Sequence, residues 1–429
     1  MKRRIHLSTA PGFRVLRDSL RDLRTNWNEK PHPTVLREVG RAIAEGGDII
    51  LLSAYLQHFE SVREIGLMAQ AAGVPVLLGG PMFNVSGVAE AWRAIPGIVA
   101  VVGAEAEHDI SAMVDAVCEG RDLLNFAGVV LPDGRSSRKA PPLRQLDRSP
   151  VPDFTDFPWD RYPVRIVPMM TGRGCQWDKC LFCSDVVSVS GRTFRTRSID
   201  SVLLEMQEQS RRHDTTSFLF LDLKLNSYPD MIRGIAERVQ SYVQGAEWIG
   251  SVHVDTRKDN GLSRADLRAA VAGGMRRISF GLETGSQRLL DLMRKGSSVE
   301  RNSEFIRHAH EAGLSVRCTM FKGFPGETTE DMVQTAEFLE AHAPYLDRVR
   351  FNEFSLLEDT PIYDEIVQHS GDGPFSIRQL RHRKGRAEYI NREGGNIAYR
   401  RAKARALRSV YEINRRPLRM GARQFDGLM

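Results

Sequence analysis

The sequence predicts an α/β protein with two parallel-sheet regions in series, an open doubly wound sheet followed by a partial barrel. Two observations carry this. Short apolar runs alternate with longer helical patterns through two separate stretches, and such alternation builds parallel sheets flanked by helices. Three cysteines, Cys175, Cys180 and Cys183, cluster in TGRGCQWDKCLFCSD, just after an apolar run. That is the carboxyl end of a predicted strand, where sheets and barrels of this kind hold their ligands.

Residues 1–145 form the first α/β region. RIHLST, DIILLSAY, VPVLLGG and GIVAVVG read as strands, and PTVLREVGRAIAEG, SVREIGLMAQAAG and SGVAEAWRAI as the helices between them. PGFRVLRDSLRDLRTNWNEK contains no clear strand, so one βα unit is missing from a full fold. Residues 146–163 carry prolines without periodicity and read as an extended linker onto the next domain. Residues 164–365 give six strands, in VRIVPMM, TSFLFLDLKL, AEWIGSVHVD, RRISFGLE, LSVRCTMFKG and DRVRFNEFSLL. The helices between them fall around 199–211, 230–244, 264–272, 286–293, 301–312 and 330–342. Six βα units, short of eight, predict an open (β/α)6 barrel. Residues 366–429 read as a basic helical extension.

The 429 residues, 41% hydrophobic and 27% charged, can bury a large core and stay soluble. No apolar run reaches membrane-spanning length and the start MKRRIHLSTAPGF lacks a signal-peptide core, so no membrane is expected. Five cysteines, three of them clustered, fit a reducing cytoplasm. The net charge is +6, yet Ser376–Met429 holds 15 Lys and Arg against 4 Asp and Glu, a net of +11, leaving −5 elsewhere. Such a tail could meet an acidic partner, phosphate or RNA; without aromatic interleaving, it reads first as a helix packed on its own acidic chain.

Three thiolates in nine residues can hold three irons of a [4Fe–4S] cube and leave the fourth iron open for a substrate or cofactor. Half a zinc site would need a fourth ligand; no second CxxC occurs and the nearest histidine downstream is His213. A disulfide with a spare thiol suits a secreted chain, which this does not resemble.

RGCQWDKCLFC, FLDLKLN, SFGLETGSQRLLDLMRKGSSVE and FKGFPGETTED, in this order and each after a predicted strand, resemble radical S-adenosylmethionine (SAM) enzymes, in the subset with an N-terminal cobalamin-binding domain. The likeness runs from about Arg4 to Tyr363. It implies a [4Fe–4S] cluster on Cys175, Cys180 and Cys183 whose open iron binds SAM. Reductive cleavage would give a 5′-deoxyadenosyl radical that abstracts hydrogen. The chain departs from the family twice. Four residues separate Cys175 from Cys180 where the family has three, and no DxHxxG string supplies an axial histidine to cobalamin.

The resemblance assigns further roles. Phe182 would lie near the SAM adenine, or be a core aromatic. Glu283 would hold the SAM amino or ribose groups. Asp222 and Asn226 occupy a similar place after the second strand, with Lys224 between them as a SAM contact or a salt-bridge partner. Gly323, Phe324 and Pro325, in a turn closed by Gly326 and Glu327, would border the adenine. His253 is a candidate facing substrate or SAM. Alternation in LSVRCTMFKG places Val316, Cys318 and Met320 on one side; in the lumen, the Cys318 thiol could donate hydrogen to a carbon radical, and otherwise it is a buried apolar residue. Cys118 reads as structural. In the first domain Tyr55, Gln57 and His58 would approach a corrin, while Gly79, Gly80 and Gly103 would border its nucleotide tail.

The expected activity is cobalamin-dependent methylation at an unactivated carbon of a small-molecule or peptide substrate, fed by an external donor of flavodoxin or ferredoxin type. The second is a cobalamin-independent epimerase or rearranging enzyme using Cys318. The third is an RNA-binding or RNA-modifying iron–sulfur protein; nucleic acid ranks last among the partners.

Overall fold

The computed structural model describes residue 31 and residues 33–186, 188–189, 193–369, 373–383 and 386–428. The expected strand RIHLST and the segment PGFRVLRDSLRDLRTNWNEK lie outside the described residues. Two compact units emerge. One runs to Leu143 and includes residues 188–189; the other comprises residues 144–186 and 193–427.

In the first unit, α1 (Pro33–Ala44), β1 (Ile50–Ser53), α2 (Phe59–Ala72), β2 (Val76–Gly79), α3 (Ser86–Arg93), β3 (Ile98–Val102), α4 (Ile110–Cys118) and β4 (Val129–Val130) follow one another. Strands β1, β2 and β3 pair in parallel, and β4 adds antiparallel to β3. The runs of Val, Leu and Ile in β2 and β3 are largely buried, as parallel strands covered on both faces require. Helix α2 stops where Gly73 turns left-handed at φ 71° and bonds back to Ala69 and Gln70. Trp92 of α3 is fully buried with Phe59 and Phe83 edge-on to it at 5.0 and 5.1 Å.

The second unit opens with β5 (Val167–Met169), β6 (Gly172–Arg173) and β7 (Arg195–Thr196). Next come α5 (Ile199–His213), β8 (Ser217–Phe220), α6 (Pro229–Tyr242), β9 (Glu247–Val252), α7 (Arg264–Ala272) and β10 (Met275–Glu283). Helices α8 (Gln287–Leu292) and α9 (Val299–Ala312), β11 (Ser315–Lys322), α10 (Thr329–His342) and β12 (Arg348–Glu353) complete the barrel. Its six strands form one parallel sheet in the order β12-β11-β10-β9-β8-β5. Helix starts follow from capping side chains. Ser198 and Ser298 accept the third backbone N–H beyond them, and Ser263 and Thr328 form capping boxes with Asp266 and Asp331.

The two faces of this sheet differ in kind. Val167, Phe218, Phe220, Trp248, Ile278, Phe280, Val316, Cys318, Met320 and Val349 join helix residues such as Leu203, Ile235, Ile306, Ala336 and Leu339 in one apolar core. By alternation, their neighbours Pro168, Leu219, Ile249, Ser251, Ser279, Arg317 and Arg350 line the concave face.

The expected linker lies on the second unit. The Asp147 carboxylate accepts the Ser198 N–H at 2.8 Å, Pro152 O accepts from Gln209 at 2.8 Å, and Phe154 and Trp159 pack against His213.

The extension after the barrel is not purely helical, contrary to expectation. After α11 (Pro361–Gln368), β14 (Ile377–Arg383) and β15 (Arg386–Asn391) form an antiparallel hairpin that pairs through β15 with β13 (Leu356–Leu357). Leucine-poor, Arg-rich strands of this kind lack the apolar alternation by which a strand is read. Among the described residues of the extension, α12 (Ile397–Arg415) is the anticipated basic helix, and its Tyr399, Ala402, Ala406 and Ile413 are buried in the barrel core. No described helix is long and apolar enough to cross a membrane.

Candidate active site

The cysteine loop is held shut at its base. Strands β6 and β7 pair antiparallel, Gly172 with Thr196 and Arg173 with Arg195, and so clip together the ends of the segment bearing all three thiols. Just before the clip, Asp222 beyond β8 accepts both the N–H (3.0 Å) and the hydroxyl (2.7 Å) of Thr171. Burial pushes the Asp222 carboxyl upward in pKa, against these hydrogen bonds.

The four-residue spacer between Cys175 and Cys180 turns through Asp178, left-handed at φ 44°. Aspartate tolerates that region better than most residues. Trp177 anchors the spacer: its Nε1–H donates to Arg294 O at 2.8 Å, and its ring lies over Gly296, where a Cβ would come within 2.0 Å of Cζ2. The added residue is thus absorbed by a pinned aromatic.

Cys180 and Cys183 are raised in pKa, first by burial and then by neighbouring negative groups that include Cys175. Two buried thiols that resist ionisation in water, with Cys175 in electrostatic range of both, suit ligation by iron, which displaces the thiol proton. The described residues hold no set of three His, Cys, Asp or Glu side chains converging on a single-ion site.

Beside the thiols, Glu283 ends β10 in an unusual backbone state, φ 61°, at a shift of the β10–β11 register. Such a conformation costs of order 1–3 kcal/mol in a non-glycine residue and persists only where surroundings enforce it. Here its Oε1 meets Lys295 Nζ at 2.6 Å, with both side chains nearly buried. Gly281 leaves the room: a Cβ there would lie 2.2 Å from Glu283 Oε1 and 2.7 Å from Lys295 Nζ. Burial lowers the Lys295 pKa, but Glu283 and Cys180 outweigh it, and the ammonium stays charged. The same Nζ stands 5.6 Å above the Phe182 ring. Phe182 in turn meets Phe321 edge-on at 5.1 Å, with Phe324 and Phe354 beyond.

The other expected positions are already engaged by protein. Lys224 Nζ pairs with Asp255 at 2.6 Å, and Arg257 bonds the same carboxylate at 2.9 Å. Burial lowers the Lys224 pKa and the Asp255 contact resists that. Asn226 donates to His253 O and Asn260 O and accepts the His253 N–H, so it splints the ends of β8 and β9. His253 is buried with Nε2 unpartnered among the described residues, edge-on to Trp177 at 6.1 Å. Burial and the nearby Lys295 and Lys224 charges depress its pKa well below the usual value, so its ring is neutral at pH 7.

The turn after β11 is tied to the C-terminal extension. Glu327 accepts the Gly323 N–H and the Tyr399 hydroxyl, each at 2.6 Å, and burial raises its pKa to about 7. Tyr389 donates to Gly323 O and Asn391 to Phe324 O. Pro325 sits inside this braced turn.

Cys318 is placed against its radical-facing expectation. It is fully buried with Val316 and Met320 in the core that the helices cover, at the level of Phe280 and Val349. A hydrogen donor to substrate needed the opposite face. Cys118, at the end of α4, is exposed.

In the first unit Tyr55, Gln57, His58, Gly79, Gly80 and Gly103 all gather at the carboxyl ends of β1, β2 and β3. Tyr55 is exposed, and its N–H bonds His58 Nδ1 at 3.2 Å. Gly80 and Gly103 have a packing reason to be glycine: a Cβ would lie 2.1 Å from Ala54 O and 2.5 Å from Phe83 O. Gly79 is unconstrained in this way.

Sequence reasoning missed Lys295, Tyr389, Asn391 and Tyr399. Lys295 lies in the quoted segment LMRKGSSVE, and a lysine there, with its carboxylate partner twelve residues upstream, was the available signal. The other three come from the extension and carry none.

Residues 169–339 match the Radical SAM superfamily. An uncharacterised methyltransferase of Pyrococcus horikoshii is 28% identical over 270 residues, 61% of this chain and 57% of that protein. The bacteriochlorophyllide d C-12(1)-methyltransferase of Chlorobaculum tepidum is 25% identical over 335 residues, 75% and 66% of the two chains. The chain therefore spans little more than half to two thirds of these relatives. Its fold resembles that of the radical SAM methyltransferase TsrM of Kitasatospora setae, solved with cobalamin and a [4Fe–4S] cluster. The TM-score is 0.64 at 19% identity, covering 94% of this chain and 82% of that one.

Proposed function

Starting from residues 169–339 as a radical SAM domain, we propose that this protein is a cobalamin-dependent radical SAM C-methyltransferase. The observation that carries this is the clipped three-cysteine loop at the carboxyl end of a parallel six-stranded half-barrel, beside the strained, buried Glu283–Lys295 pair.

Cys175, Cys180 and Cys183 would hold the [4Fe–4S] cluster. Glu283 and the Gly323–Pro325 turn would receive SAM, and Phe182 with its aromatic neighbours would exclude water. Tyr55, Gln57, His58, Gly79, Gly80 and Gly103 would face cobalamin. When bound, these groups supply reducing power, a hydrogen-abstracting radical and a transferable methyl group. Chain residues do the rest. Lys295 fixes the Glu283 side chain through their 2.6 Å contact, Trp177 holds the spacer, and the neutral His253 ring offers a nitrogen that accepts or donates one hydrogen bond without adding charge. An external one-electron donor and a reducing compartment such as the cytoplasm complete the requirement.

The test is anaerobic reconstitution with iron, sulfide and cobalamin, followed by absorption spectroscopy and product analysis. Bound corrin, and both S-adenosylhomocysteine and 5′-deoxyadenosine under reducing turnover, are expected. A cluster-loaded protein that takes up no corrin and forms only 5′-deoxyadenosine would overturn methyl transfer.

A further inference from the structure

The outer surface of the cysteine loop carries charge that the site behind it does not use. The spacer after Cys175 and the turn after α8 run side by side. Trp177 Nε1–H donates to Arg294 O at 2.8 Å, the Leu181 N–H donates to Met293 O at 3.1 Å, and the Trp177 ring covers Gly296. Cys180 sits between those two bonds, with Lys295 near enough that its charge opposes the burial raising the thiol pKa. On the outside, Gln176, Lys179 and Arg294 are exposed and Trp177 is half-buried. Arg257 joins the same surface through Gln176 Oε1, and the exposed Lys258 follows it in the chain.

The charges here are lopsided. Lys179, Arg294 and Lys258 make no side-chain hydrogen bond or ion pair among the described residues. Lys179 Nζ stands instead over the Trp177 ring, 5.4 Å from its centre. The neighbouring acids are engaged elsewhere: Asp255 by Lys224 and Arg257, Asp259 by Arg233, and Asp291 by Gln287. That leaves Asp178 against three cations. A lone exposed lysine means little, but a cationic cluster around an accessible indole has the make-up of an interface. Tryptophan and arginine anchor protein contacts, and unpaired cations steer and orient an acidic partner.

We propose that this surface is the docking site of the external electron donor, and that the donor is an acidic one-electron carrier protein. Its carboxylates meet Lys179, Arg294 and Lys258, and its contact centre lies on Trp177. One electron leaves the reduced carrier, which is thereby oxidised by one, and enters the cluster on Cys175, Cys180 and Cys183, which is reduced by one. No bond or proton changes hands. The four-residue spacer, one longer than the family's, supplies both Trp177 and Lys179 to this surface. The inference rests on the radical SAM domain and its cluster, and not on methyl transfer.

The test uses the cluster-loaded full chain with two acidic carriers, a flavodoxin and a ferredoxin. Calorimetry with the oxidised carriers reads docking, and electron paramagnetic resonance reads cluster reduction by the reduced ones. At least one carrier binds, and its affinity falls about tenfold or more at high salt. Arg294→Glu combined with Lys258→Glu, both outside the cysteine segment, weakens that binding about tenfold or more. It slows carrier-driven reduction by a similar factor, while iron content and reduction by dithionite stay at wild-type levels. Lys179→Glu, scored per loaded cluster, loses binding likewise. Binding of neither carrier, affinity unmoved by the charge reversals, or an equal fall in dithionite-driven reduction overturns the inference. The two readings fail separately. Salt-sensitive docking without a methylated product sinks only the methyltransferase, and carrier-driven methylation undiminished by the charge reversals sinks only this surface.

Discussion

Replacing Lys295 by methionine is the sharpest probe of the site. Lys295 Nζ and Glu283 Oε1 are 2.6 Å apart, with side-chain exposures of 10% and 8%. An exposed pair of the same geometry would contribute at most about 1 kcal/mol. A buried pair is different: removing one member strands the other charge, at a cost of about 3–5 kcal/mol. Lys295→Met nearly conserves volume, so little of the loss is packing; the desolvated contact with the Phe182 face, at 5.6 Å, adds about 1–2 kcal/mol to it. Glu283→Gln is expected to cost a similar amount, because it strands the ammonium. The double variant leaves neither charge, and its cost falls short of the sum by at least about 2 kcal/mol. Urea unfolding under reducing conditions, followed through the fully buried Trp248 of this unit, reads all four proteins. A loss under about 1 kcal/mol in Lys295→Met, or additivity of the two changes, refutes the argument that this pair is desolvated and coupled.

Gly296→Ala drives a methyl group into the Trp177 ring, and should lower the iron and sulfide held after reconstitution by half or more; adding Trp177→Ala should restore part of it, and an unaffected cluster content would show the spacer is not pinned there. Glu327 has its pKa raised from 4.5 to about 7 by burial, so the folded state binds more protons in that window and stability falls as pH rises through it, by up to about 3 kcal/mol. Urea midpoints at pH 5 and pH 8 should therefore converge in Glu327→Gln relative to wild type, and an equal decline in both would assign the effect elsewhere.

The barrel was legible because its strands are apolar runs and most of its helices start at a capping Ser or Thr, the helix Pro229–Tyr242 starting instead on a proline. Ser198, Ser263, Ser298 and Thr328 stand one residue before the observed helices. Cys318 shows the limit of such reading. Alternation correctly grouped it with Val316 and Met320, yet period two cannot say which group faces the helices. Arg317, half-buried and carrying charge, would have decided the matter, since a sheet buries its apolar set under helices and leaves charge to the open side. The extension was misread in part for the opposite reason. Its +11 balance is partly spent inside the fold: Arg405 pairs with Glu340, Arg416 donates to Ala343 O and Leu346 O, and Arg419 to His310 O. Those acceptors are mostly backbone carbonyls, which a count of carboxylates does not see.

A six-stranded half-barrel has two problems that a closed barrel lacks, a raw edge and an unplugged base. The extension answers both. Asn414 of α12 lies along the free edge of β12, its Oδ1 accepting the Val349 N–H at 2.8 Å and its Nδ2 donating to Val349 O at 2.9 Å, as a neighbouring strand would. The last turn places Ala422 O and Phe425 O over Arg277 as acceptors for its buried guanidinium at the base. With the base occupied, the carboxyl end remains as the entrance, which is where the thiols and Glu283 lie. The same segment reaches that end through Tyr389, Asn391 and Tyr399, which brace the turn at Gly323. One chain segment thus closes the barrel below and sets a wall of the site above. This is why the residues positioning that turn are found among the last 41 and not in the barrel that presents it.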